Sequence, residues 1–244
     1  MKNYVLILGA QSDVGLELAK IYAKKGHNLY LASRNKSRLN SFISNISIKY
    51  NIKVYNLEFD ILNYKNYSVF FNKLKFKPEG VIICIGYLGN KNNDIYEITE
   101  TKKIIETNFL GPVNILNMFA RYFEKRKSGW IVGISSVAGE RGRANNLIYS
   151  CAKSGFTSYL SGLRNRLFNK NVHVLTVLPG YIETKMTAGM NLPKFLTSKP
   201  KHIALAIYKS QIERKNILFY KPIWKFIMIV FKIIPENIFK SRNF

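Results

Sequence analysis

The feature that most restricts the fold of this chain is a repeated exchange between two hydrophobic periods. Short apolar runs, "YVLILG", "NLYLAS", "KVYNLEF", "GVIICIG", "GWIVGIS" and "VHVLTVL", read as strands, and each is followed by a stretch of helical character. The first helix is expected from Val14, with Leu18, Ile21 and Tyr22 on one face and Gly26 as its stop. Others are expected over "KSRLNSFISNISIKY", "YKNYSVFFNKL", Thr101 to Arg126, and after Tyr149. Strands this evenly apolar need cover on both faces, which a parallel sheet between two helical layers provides. The expected fold is therefore α/β: one doubly wound Rossmann-type domain over residues 1–220, with a mostly parallel seven-stranded sheet and a C-terminal amphipathic helix within 221–244. Ligands of such a sheet bind beyond the carboxyl ends of its strands.

Bulk properties narrow the function classes. A chain of 244 residues, 47% hydrophobic, can bury one large core. Met1 to Tyr4 lead straight into a strand, so no secretion signal is expected and the body of the protein should be cytoplasmic. Cys84 and Cys151 are too few for a disulfide framework, and His27, His173 and His202 lack metal-ligand spacing, so no metal is expected. The net charge of +24 would attract nucleic acid, an anionic membrane or a phosphorylated substrate. Its lysines are spread along the chain without a compact basic block, so no nucleic-acid partner is expected.

The segment "ILGAQSDVG" has the form of a phosphate-binding turn, with Gly9 for the tight bend and Gly15 for close packing. Asp13 stands at the helix start, where it is expected to act as the N-cap with its carboxylate turned away from phosphate. After the second strand, Ser33 stands where NAD-preferring enzymes place an acid for the ribose hydroxyl, with Arg34 beyond it. That combination favours the 2′-phosphate of NADP over NAD, unless Arg34 is one more surface cation. In "YSCAK", Tyr149 and Lys153 share one helix face, so an ammonium would lower the phenol pKa toward working pH and make it a general acid or base. Ser136 lies upstream at the end of "WIVGISS".

Together these motifs resemble the short-chain dehydrogenase/reductase family, from about Lys2 to at least Met190. The resemblance implies a catalytic tetrad of Asn108, Ser136, Tyr149 and Lys153. Tyr149 would protonate the carbonyl oxygen, Ser136 would hydrogen-bond it, Lys153 would also hold the nicotinamide ribose, and Asn108 would anchor a water relay behind Lys153. The implied cofactor contacts are Gly9, Gln11, Ser12, Val14, Gly15, Ser33, Arg34, Asp60, Ile61, Gly86, Tyr149 and Lys153. The "PGYIET" stretch adds Pro179, Gly180, Ile182 and Thr184 beside the nicotinamide. The chain departs from the family at Asp13 and at "CIGYLG", which keeps Gly86 but lacks the usual asparagines.

Within the family, "ILGAQSDVG", "SSVAGERGRANNLIYSCAKSG" and "PGYIETKMTAG" are most similar to the subgroup that includes the reductase subunit of decaprenylphosphoryl-ribose 2′-epimerase. That likeness implies a ketone substrate on a polyprenyl-phosphate-linked sugar, a homo-oligomer or an oxidase partner, and a role in cell-envelope synthesis. Acyl-thioester or other hydrophobic ketones are the alternative substrate class, and a non-enzymatic nucleotide-sensing or nucleic-acid-binding role on the same fold is a second alternative. Arg141 and Arg143 are placed either to face a substrate phosphate or to serve as surface or subunit-contact charges. The tail from Ile223 to Ile234 is too short to span a bilayer. With Lys221, Lys225 and Lys232 on a narrow arc, it is expected either to lie at the cytoplasmic face of the inner membrane or to cover the core or a partner subunit.

Overall fold

The computed structural model describes residues 3–89 and 97–242. Its sheet has seven strands in the order β3-β2-β1-β4-β5-β6-β7, and every neighbouring pair is parallel. The strands are β1 (Tyr4–Leu8), β2 (Asn28–Ser33), β3 (Val54–Glu58), β4 (Gly80–Ile83), β5 (Gly129–Ile134), β6 (Val172–Pro179) and β7 (Ile217–Tyr220). The six apolar runs became six of these strands. β7 has no comparable signal, because "ILFY" at the sheet edge is only partly buried.

The helices are α1 (Asp13–Lys24), α2 (Asn40–Tyr50), α3 (Tyr67–Lys73), α4 (Ile98–Ile105), α5 (Gly111–Arg126), α6 (Leu147–Leu167), α7 (Pro200–Ile212), α8 (Ile223–Ile233) and the short α9 (Glu236–Phe239). Alternate residues of β1 enter two cores. Tyr4, Leu6 and Leu8 face α3, α5 and α6, while Val5 and Ile7 face α1, α2 and α7. Each fully buried aliphatic side chain contributes about 1.5–3 kcal/mol, so the fully buried Val5 to Leu8 fix the centre of the sheet.

The helix expected from Thr101 to Arg126 starts at Ile98 and is interrupted by a π-helical turn over Glu106–Leu110. That turn bulges beside the carboxyl end of β4, a disposition often met at functional sites.

α8 packs on the domain through a third small core. Trp224 and Met228, one turn apart, lie against Val137 and Leu178, with Tyr181 and Phe231 alongside. Of the tail expected to lie at a membrane or to cover the core, Trp224 and Met228 are buried and so serve the second role. Lys221 precedes the helix and donates from Nζ to the carbonyls of Phe195 and Thr197, both at 2.7 Å, so it shares no helical arc with Lys225 and Lys232. Residues 243–244 of the expected tail extension lie outside the described residues. Among the described residues, no helix is long and apolar enough to cross a membrane.

Candidate active site

The turn after β1 is built from backbone bonds that only a glycine accommodates at its head. Gly9 adopts φ +82°, and a Cβ there would fall 2.9 Å from the Cys84 carbonyl carbon. The amides of Gly9 and Ala10 both donate to the Ala32 carbonyl, which ties the turn to β2. The N-cap of α1 is Ser12, whose hydroxyl accepts from the Gly15 amide at 3.1 Å and donates to the Gly9 carbonyl. Asp13, expected as the cap, is instead the first helical residue. Its Oδ2 accepts a hydrogen bond from the Lys185 amide at 3.0 Å, across the cleft.

This turn opens onto a cleft of about 860 Å³ at the carboxyl ends of the strands. Of the residues expected from sequence, Gly9, Gln11, Ser12, Val14, Ser33, Arg34, Asp60, Ile61 and Gly86 line it. So do Pro179, Gly180, Ile182, Thr184, Ser136, Tyr149, Lys153 and Arg143. Gly15 does not reach the cleft. It packs beneath the turn, where a Cβ would meet the Gly9 carbonyl oxygen at 2.8 Å.

Asn108 is fully buried in the π turn and stands back from the cleft. Its amide donates to the Tyr87 and Ile104 carbonyls at 2.6 and 2.9 Å, and its Oδ1 accepts from the Tyr87 amide. Both amide hydrogens are therefore engaged by backbone. The side chain holds the loop after β4, next to Gly86 and Lys153.

Arg141 is likewise not in the cleft. Its guanidinium donates to the carbonyls of Phe231 and Ile234, pairs with Glu236 and lies 3.7 Å from the Phe239 ring centroid. Four partners on the tail draw it away from any substrate phosphate, and Arg143 alone of the pair lines the cleft.

Tyr149 and Lys153 project from the first turns of α6. Ser135 fixes that helix on the end of β5, its hydroxyl donating to the Lys153 carbonyl at 3.0 Å. The Lys153 ammonium is buried, lies 5.7 Å from the Tyr149 ring centroid and donates to the Ile134 carbonyl at 3.1 Å. Burial pushes its pKa down to about 8. Burial also pushes the Tyr149 phenol up to about 12, opposed by its hydrogen bond with Ser136. The phenol is thus held in its protonated form and not lowered toward neutrality as the Tyr–Lys spacing alone suggests. Such a group is an acid waiting for a base stronger than water, which a nascent alkoxide is.

The far end of the cleft fits an adenosine 2′-phosphate. The Ser33 hydroxyl is buried without a hydrogen-bond partner among the described groups, and Arg34 and Arg38 line the cleft beside it. Arg38 was missed in the sequence, where it is one cation of many. Its position follows from the one-turn 3₁₀ segment Lys36–Leu39, which brings it back toward the end of β2.

A short chain dehydrogenase family profile matches residues 3–194. The chain belongs to the short-chain dehydrogenase family. It is an NAD(P)-dependent oxidoreductase. An uncharacterized oxidoreductase of Mycobacterium tuberculosis is 27% identical over 97% of this chain and 95% of its own. A 3-oxoacyl-[acyl-carrier-protein] reductase of Aquifex aeolicus is 24% identical over 88% of each. Among solved structures, a short-chain dehydrogenase from Sphingobium yanoikuyae in complex with NADPH superposes with a TM-score of 0.82 at 20% identity, covering 96% of this chain and 97% of that one. These structural likenesses establish the Rossmann-type fold of this short-chain dehydrogenase.

Proposed function

We propose that this short-chain dehydrogenase reduces a ketone to a secondary alcohol with NADPH, the ketone being a keto sugar carried on a polyprenyl phosphate. The supporting observation is the double face of α8. Trp224 enters the cleft wall, while on the opposite side of the same helix Phe226 (66% exposed), Ile229, Val230 and Ile233 (71% exposed) present an outward apolar surface. A substrate with a long apolar carrier would meet that surface as its head group enters, and Arg143 and Lys103 in the cleft supply charge for a phosphate. The same face would rest on the cytoplasmic side of a membrane, each buried side chain contributing about 1–2 kcal/mol and nearby lysines adding attraction to anionic lipid.

When bound, the nicotinamide supplies a hydride to the carbonyl carbon. The chain supplies the rest. Tyr149 transfers its hydroxyl proton to the oxygen as it becomes an alkoxide, Ser136 hydrogen-bonds that oxygen, and the Lys153 ammonium stabilises the phenolate left behind. Ser33, Arg34 and Arg38 would hold the 2′-phosphate, which is the basis for preferring NADPH to NADH. A second reading, reduction of an acyl-thioester ketone, is favoured by the likeness to a 3-oxoacyl-[acyl-carrier-protein] reductase.

Steady-state oxidation of NADPH with a polyprenyl-phosphate keto sugar, a 3-oxoacyl thioester and a short water-soluble ketone separates the readings. The proposal expects kcat/KM to be highest for the polyprenyl substrate by at least about tenfold, worth about 1.4 kcal/mol of transition-state binding. Equal or better use of the thioester would replace it.

A further inference from the structure

We infer that Asp13 is a cofactor-positioning residue: its carboxylate clasps the loop after β6 across the cleft and governs how fast the dinucleotide enters and leaves. The inference needs only that the protein binds a nicotinamide dinucleotide and holds for any carbonyl it reduces. It rests on where the two ends of one hydrogen bond lie. Asp13 opens α1, on the wall of the cleft built by the phosphate-binding turn. Its partner, the Lys185 amide at 3.0 Å, belongs to the opposite wall, 172 residues further along the chain.

The loop that Lys185 belongs to is closed at its base. The Ile182–Ser198 bridge, with bonds from the Glu183 amide to Ser198 and from the Ser198 amide to Tyr181, pinches residues 183–197 into a lobe. Within the lobe, the Thr187 hydroxyl accepts from the Thr184 amide at 3.1 Å and donates to the Ile182 carbonyl, so the turn Lys185–Thr187 is held as a unit. Lys185, Met186 and Thr187 all line the cleft. The turn Lys185–Thr187 follows directly on that pinched base, so the lobe moves with it, and the Asp13 carboxylate is a fastening between this turn and the other wall. The residue is well chosen for this. A carboxylate in the first turn of a helix is favoured by the helix dipole, and an ionised acceptor makes a stronger bond to an amide than a neutral one.

Stopped-flow measurement of NADPH release, together with hydrogen exchange of the Lys185 amide in cofactor-free protein, tests the clasp with Asp13→Ala and Asp13→Asn. For Asp13→Ala the expected result is at least fivefold faster release and at least tenfold faster exchange at Lys185. Asp13→Asn keeps an acceptor oxygen and should restore most of both. Unchanged or slower release in Asp13→Ala, or unchanged exchange, overturns the inference. Equal acceleration in both variants also overturns it, because the effect would then belong to charge and not to the fastening. The exchange readout is independent of turnover, so failure of the substrate proposal and failure of the clasp are told apart.

Discussion

The smallest chemical decision in this molecule is the protonation of two neighbouring side chains on α6. Tyr149 is pushed up to about 12 and Lys153 down to about 8, both by burial. Carbonyl reduction needs the phenol protonated and the ammonium charged. Tyr149 keeps its proton through the neutral range, whereas Lys153 is charged below its pKa and loses its proton as pH rises through it. Reductase kcat is therefore expected to hold steady at lower pH and to fall as pH rises through about 8, read from initial rates across pH 6 to 10. Replacing Tyr149 with Phe removes the proton donor while leaving the cleft's shape. Turnover should fall by about 10²–10⁴, with NADPH affinity by fluorescence titration nearly unchanged. A variant that keeps a tenth of wild-type turnover would mean another acid does the work. At the other end of the cleft, Arg34→Ala combined with Arg38→Ala should erase a preference for NADPH over NADH, and a preference that survives both changes would remove these cations from the 2′-phosphate site.

At the level of elements, the π turn Glu106–Leu110 determines where the loop after β4 runs. Asn108→Ala would remove its bonds to the Tyr87 and Ile104 carbonyls and take the acceptor from the Tyr87 amide, a loss of about 1–3 kcal/mol visible as a lower urea midpoint, with kcat falling because Gly86 and Lys153 lose a neighbour. Much of the element order was legible beforehand, because β1, β2, β4 and β6 are buried along their whole length and so carry near-continuous apolar runs. The Tyr149–Lys153 spacing and Ser136 were legible for the same reason, as short-range patterns on one helix and one strand end. What was hidden depends on contacts between distant segments. Arg141 has the same local sequence whether it faces a phosphate or the carbonyls of Phe231 and Ile234, and only the fold places the tail beside it. Asp13 looked like a cap because Asp caps helices. Ser12, one residue earlier, already filled that role and freed the carboxylate for Lys185. Trp224 and Phe226 lie on opposite faces of α8, both of them apolar, and the sequence alone could not tell which face turns inward.

Across the whole molecule, the net charge of +24 and the outward face of α8 act together at any anionic surface. Co-sedimentation with vesicles containing anionic lipid is expected, weakening as salt rises from about 50 to 500 mM because screening shortens the reach of the lysines. Replacing Phe226, Ile229 and Ile233 together with Ser should abolish the salt-resistant part of that binding without lowering the melting temperature, since none of the three is buried. If the triple variant still binds at high salt, the outward face of α8 has no lipid role. The packing of α8 also has a consequence for the order in which the protein is made. The catalytic pair, the phosphate-binding turn and six of the seven strands precede residue 200, yet Trp224 closes against Gly180, where a Cβ would have no room beneath the indole. A nascent chain leaving the ribosome at roughly 5–20 residues per second can assemble the dinucleotide half while its tail is still being translated. The cleft then lacks one wall until α8 arrives, so during synthesis the wall that helps select a substrate forms after the dinucleotide site.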